Sequence, residues 1–93
     1  MGTIRMKIIE LLEKKPHTAL EISRLIGIKE KEVYQHLPHI EKSVKGKGRR
    51  LNMPPYYCIS CGFKFKDRKR FYPPSRCPHC REERISEAVF EIV

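Results

Sequence analysis

The sequence predicts an α+β fold: three short helices followed by a small β unit built around four cysteines. Three observations carry this reading. Apolar residues recur at helical spacing through residues 4–44, interrupted by Pro16 and Gly27. All four cysteines fall in two CxxC pairs between residues 56 and 81. Residues 85–93 finish in Val89-Phe-Glu-Ile-Val93, a β-prone run suited to a closing strand.

The first helix is expected over residues 4–15. Ile4, Ile8, Leu11 and Leu12 share one face, Thr3 can cap the start, and Lys14 and Lys15 favour the negative end of the helix dipole. Pro16 stops it. The second helix begins at Thr18, where Thr18-x-x-Glu21 forms a capping box: hydroxyl and carboxylate each satisfy an amide left over at the helix start. Ala19, Ile22, Leu25 and Ile26 are its expected buried face, and Gly27 follows where a left-handed residue ends a helix. The third helix starts near Glu30, with Val33, Leu37, Ile40 and Val44 as its spine. Pro38 removes the bond to the Tyr34 carbonyl and disfavours helix at Leu37, so a kink or early end is expected there. A helix, a glycine turn and a second helix with a Val-x-x-x-Leu spine make a helix-turn-helix, and the first helix completes its core.

Lys45-Gly-Lys-Gly-Arg-Arg50 reads as a flexible basic loop. Leu51-Asn-Met53 is a possible short strand, ended by Pro54 and Pro55. Cys58-x-x-Cys61 and Cys77-x-x-Cys80 follow, with 15 residues between the pairs. This spacing reads as a tetrahedral metal site, because each CxxC turns both sulfurs to one side and two such turns supply four thiolates. Gly62 lets the first turn take a positive φ, Pro78 shapes the second, and Phe63, Phe65, Phe71 and Tyr72 can cover the site. Four protein ligands leave no open position, so the metal is expected to be structural: Zn²⁺, one per chain. Iron in a rubredoxin-type centre and a pair of disulfides are the competing readings. His79 is read as a surface residue, His36 and His39 as helix surface or boundary, and His17 as a turn residue.

Composition narrows the function. With 40% hydrophobic residues, no Trp and 33% charged residues, the core is thin, and a metal staple is expected to support it. No apolar run approaches a membrane span, no secretion signal is visible, and thiolate ligation fits a cytoplasmic setting. Ten Glu stand beside a single Asp, Asp67, a poor stock for paired-carboxylate catalysis. There is no Ser-His-Asp set and no glycine-rich phosphate loop, so an enzyme is not expected. The net charge of +9 is uneven. Residues 43–81 hold 11 basic residues against Asp67 alone, net +10, whereas residues 1–42 are +2 and residues 82–93 are −3. The default partner of such a patch is a polyanion. Side-chain amides are scarce, only Gln35 and Asn52, which leans toward a thermophilic source.

The whole chain resembles the archaeal predicted transcriptional regulators in which a winged helix-turn-helix is fused to a zinc ribbon with rubredoxin-like knuckles. The residues that carry the resemblance are Ala19-Leu-Glu-Ile22, Gly27, Val33-Tyr-Gln-His-Leu37, Pro54-Pro55, Cys58-x-x-Cys61-Gly-Phe63 with Phe65, and Cys77-Pro-x-Cys80. The resemblance implies a ribbon where the wing hairpin would be, entered by a strand at 50–54 and left by one at 87–93. The expected units are a helix-turn-helix core over 1–55, a Cys₄ ribbon over 56–81 and a returning strand over 82–93. Double-stranded DNA is the expected partner. The third helix would lie in the major groove with Lys29, Lys31, Tyr34 and Gln35 toward base edges. Lys45, Lys47, Arg49 and Arg50, with Lys64, Lys66, Arg68, Lys69 and Arg70 on the ribbon, would meet phosphates. Glu30 and Glu32 oppose phosphate approach. Regulators of this build often act as homodimers. The alternative is a protein-interaction module that docks on transcription machinery without reading DNA.

Overall fold

The structure is a computed structural model and describes residues 3–66 and 70–93. Among the described residues, three helices and a small antiparallel sheet share one core. Helix α1 spans Ile4–Lys14, strand β1 His17–Thr18, helix α2 Ala19–Ile26, helix α3 Glu30–Lys45, strand β2 Leu51–Asn52 and strand β3 Val89–Ile92.

The helix ends follow their local chemistry. The Thr3 hydroxyl accepts from the Met6 amide at 3.2 Å, which caps α1. At α2 the Thr18 hydroxyl accepts from the Glu21 amide at 3.1 Å, and the Thr18 amide donates back to the Glu21 carboxylate at 2.9 Å. That backbone donor holds the Glu21 carboxyl below its usual range. Gly27 closes α2 at φ 84° and ψ 36°, the left-handed conformation.

Helix α3 departs from expectation. It runs unbroken through Pro38 to Lys45. One lost backbone bond is outweighed by burial of Val33, Leu37, Ile40 and Val44, which anchor both halves of the helix to the core. Pro38 itself faces outward. Two apolar positions also differ. Leu25 is 61% exposed and Ile4 38% exposed. Each lies at the rim of its helix's apolar stripe, and α1 and α2 bury only the centre of theirs: Ile8 and Leu12, Ala19 and Ile22. Strand β1, at a site read as a turn, is the third difference. Its His17 is buried, with Nδ1 2.9 Å from the Lys15 carbonyl.

The sheet order is β1-β3-β2, so the last strand is central. His17 pairs with Phe90 and Thr18 with Val89 on one side; Leu51 pairs with Ile92 and Asn52 with Glu91 on the other. The β2–β3 ladder continues through reciprocal bonds between Arg50 and Val93, both 2.9 Å. Period-2 alternation turns Phe90 and Ile92 into the core. Everything between β2 and β3 is therefore one excursion that leaves and rejoins the sheet at adjacent strands. This insert carries the cysteines. It is tied to the core by Tyr56, which is buried there, and by Phe71, whose ring meets Phe90 edge-on at 6.2 Å; within the insert the Tyr56 hydroxyl donates to the Phe71 carbonyl. Among the described residues no helix is long and apolar enough to cross a membrane.

Candidate metal centre and basic surfaces

The two CxxC segments form matching turns. Gly62 N–H donates to the Cys58 carbonyl at 2.8 Å, and Cys58 N–H donates to the Phe63 carbonyl at 2.8 Å. Arg81 N–H donates to the Cys77 carbonyl at 2.9 Å, and Cys77 N–H donates to the Glu82 carbonyl at 2.9 Å. Gly62 has φ 80° and Arg81 φ 64°, so each turn is closed by a left-handed residue just after its second cysteine. An isolated bridge between Cys58 and Ile85, and the bond from Ile59 N–H to the Arg84 carbonyl at 2.9 Å, hold the first turn against the chain leaving the second.

The four sulfurs all lie within 4.8 Å of one another. Cys58 and Cys80 are 3.5 Å apart, and Cys61 and Cys77 are 3.7 Å apart. A tetrahedron of thiolates at about 2.3 Å from zinc has edges of roughly 3.8 Å, so this cluster is the size a metal requires. The separations far exceed the ~2.05 Å of a disulfide, and all four cysteines are free. Cys58 and Cys77 are fully buried, whereas Cys61 is exposed and Cys80 partly so. Burial pushes the Cys58 thiol up, but the Cys61 amide and the Cys80 thiol outweigh it and bring Cys58 down to about 7. At Cys80 the Glu82 amide favours the thiolate, yet burial and the neighbouring thiols prevail and push it up to about 12. Four thiols at this spacing cannot all ionise without a cation among them.

Phe63 stays with the cluster: it stacks on His79 with ring centroids 6.2 Å apart and meets Phe65 edge-on at 5.1 Å. Phe71 and Tyr72, expected to cover the same site, line a cleft with α3, and the Phe71 ring meets Phe90 of β3. His36 faces α1, where its Nδ1 accepts from Arg5 Nε at 3.3 Å, and His39 is exposed.

The basic residues divide into separate surfaces. Lys31, Tyr34 and Gln35 of α3 line a cleft of about 790 Å³ whose opposite wall is Arg70, Phe71 and Tyr72 of the insert. Tyr34 is half-buried, with its ring edge-on to Phe90 at 6.4 Å. Burial, with the Glu30 carboxylate beside it, raises its hydroxyl above the usual range. Lys45, Arg49 and Arg50 line a second cleft of about 330 Å³ with Glu41 and Leu51, at the point where the chain enters β2. Arg49 is pinned there by an ion pair with Glu13 of α1. Lys29, Lys47, Lys64 and Lys66 are exposed and line neither cleft. Arg68 and Lys69 lie outside the described residues. The cleft walls Pro38, Phe71 and Tyr72 had no place in the sequence reading of this face. The only local signal for them is an aromatic pair beside Pro73-Pro74, which says nothing of what it faces.

No curated protein matches the sequence. The fold is similar to the solution NMR structure of protein PF0610 from Pyrococcus furiosus, with a TM-score of 0.82 and 34% identity, over 100% of this chain and 92% of that one. The model described as PF0610-like, N-terminal, matches residues 3–52, the three helices together with β1 and β2. With more than half of its length matched in this way, the chain belongs to the PF0610-like family.

Proposed function

We propose that this chain is a DNA-binding transcriptional regulator: a winged helix-turn-helix whose wing is replaced by a zinc ribbon, with one structural Zn²⁺ held by Cys58, Cys61, Cys77 and Cys80. The observation that carries the reading is the α2–Gly27–α3 pair, which presents Lys31 and Gln35 on an exposed face, with the Lys45, Arg49 and Arg50 cleft at the far end of the same helix. In a major groove Lys31 would bond guanine edges and Gln35 adenine. The basic cleft would hold backbone phosphates, and three such contacts give a slope of log affinity on log salt near about −2.7. The zinc closes the insert and takes no part in any reaction. The reading is of a non-enzymatic protein of the cytoplasm, with a palindromic target if two copies act together.

Selection of bound duplexes from a random DNA pool, with zinc-loaded protein at moderate salt, tests this. An enriched motif is expected. Retention without enrichment would leave only backbone attraction. No retention would overturn the reading in favour of a protein-docking module. Two observations favour that second reading: Glu30 and Glu32 in the first turn of α3, and the insert wall facing that helix across the cleft. Metal analysis of natively expressed protein settles a third reading. One zinc per colourless chain is expected, and an iron–thiolate absorbance would make the chain a rubredoxin-like redox protein.

A further inference from the structure

The cleft between α3 and the insert has features that reading bases does not require. Its volume, about 790 Å³, falls in the range that encloses a small organic molecule, and is far too small for a duplex. Its walls are rings and apolar stems: Tyr34 and Pro38 on the helix, Phe71 and Tyr72 on the insert. Glu30 and Glu41, eleven residues apart on α3, stand at the two ends of a stretch of roughly 16 Å. Each carboxylate has a neighbour of its own. Glu30 accepts from the Tyr34 hydroxyl at 3.5 Å, and Glu41 also borders the cleft of Lys45, Arg49 and Arg50. The cations differ. Lys31 has no ion-pair partner among the described residues, and Arg70 lies over the Tyr72 ring at 5.6 Å and donates to its hydroxyl. The cleft therefore offers ring surfaces on two sides and two positive charges without carboxylate partners among the described residues.

We propose that this cleft binds a small planar aromatic molecule carrying one anionic group. The rings lie between Tyr34 and Pro38 on one side and Phe71 and Tyr72 on the other, and the anion meets Lys31 and Arg70. Lys31 and Gln35 also line this cleft, so an occupied cleft withholds them from a duplex. That last clause rests on the DNA reading; the binding site itself does not.

The probe is anilinonaphthalene sulfonate, an aromatic anion, with uncharged phenylnaphthylamine as its comparison, on the zinc-loaded full chain. Saturable binding of one sulfonate per chain is expected, with NMR amide shifts concentrated at Lys31, Tyr34, Gln35, Phe71 and Tyr72. Tyr72→Ala, at a residue 44% exposed, should weaken binding at least fivefold at an unchanged melting temperature. Gln35→Trp, which fills the cleft from the helix side, should do the same and covers the case in which Tyr72→Ala unfolds. Lys31→Gln should weaken the sulfonate several-fold and leave the uncharged probe unchanged. Leu25→Ala, on an exposed apolar residue of α2 that does not line the cleft, should change neither. Absence of saturable binding, shifts centred on Ile59 and Phe63, or equal losses from Leu25→Ala and Tyr72→Ala would each overturn the site. Equal weakening of both probes by Lys31→Gln would overturn the anion assignment. Competition between the sulfonate and a selected duplex tests the exclusion alone, and simultaneous binding would refute it. Failure to select any duplex removes the DNA reading and leaves the probe titration to decide the cleft.

Discussion

The knuckles Cys58–Phe63 and Cys77–Glu82 have the same two backbone hydrogen bonds, all 2.8–2.9 Å long, and the same left-handed closing residue. They differ in what fills that position. Gly62 takes φ 80° with nothing to strain, whereas Arg81 carries a Cβ at φ 64°. A left-handed conformation costs an L side chain about 1–2 kcal/mol. The second knuckle bears this cost because the geometry is imposed from outside: a fully buried Cys77, a shared sulfur cluster and a first knuckle already in register. One turn is specified by its own sequence, and its twin by the cluster both of them build.

The largest effect that tests this comparison is loss of the metal. Cys58→Ser and Cys77→Ser should each release it to a chelator that the parent chain resists, and should abolish amide-exchange protection over residues 56–81. Acidification should do the same, since all four thiolates must protonate as metal leaves, and release should steepen with more than one proton per metal. Unchanged exchange in 56–81 after chelation would show that the insert stands without a metal. Next come the closing residues. Gly62→Ala meets no neighbouring atom within 4 Å, so its whole cost is backbone strain, about 1–2 kcal/mol by chemical denaturation of the metal-loaded chain. Arg81→Gly should move the other way by about 0.5–1 kcal/mol, after allowance for the freer unfolded chain. Equal signs from the two variants would refute the difference between the knuckles. Phe63→Ala removes the stack that links the first knuckle to His79 of the second, with an expected loss of about 1 kcal/mol beyond area burial. The smallest effect lies at Arg76 and Glu83, an exposed pair 3.7 Å apart that flanks only the second knuckle. A double-mutant cycle should give a coupling below about 0.5 kcal/mol. A larger value would mean that the second knuckle has support of its own.

The legible features share one property: they are settled within a few residues. Thr3, Thr18 with Glu21, and Gly27 mark helix ends because capping atoms reach amides three residues away. The CxxC spacing announces a sulfur cluster because each turn aims its own two ligands. The pairing of Leu51 with Ile92 has no local signal, and the expectation of an insertion there rested on family resemblance alone. Misreadings arose where distant partners decide. Pro38 signals a break locally, but the core on the far side of α3 holds the helix through it. Leu25 and Ile4 fit an apolar face by spacing, yet no partner reaches that far around their helices. His17 gave no strand signal because two residues become a strand only when β3 arrives beside them.

By itself, the chain's order of residues determined three helices, the caps of the first two, a four-thiol cluster and a concentration of positive charge between residues 43 and 81. Each follows from contacts of short range or from counting. Tertiary structure alone decided which side of α3 faces the insert, that Phe71 and Tyr72 stand opposite Lys31 and Gln35, and that Arg81 adopts a glycine's conformation. The first two depend on how an insert returning between β2 and β3 settles on a helix more than thirty residues away in the chain, and the third on the sulfur cluster that both knuckles share. Burial acts on shape and carries no sequence period, so only the assembled core specifies them.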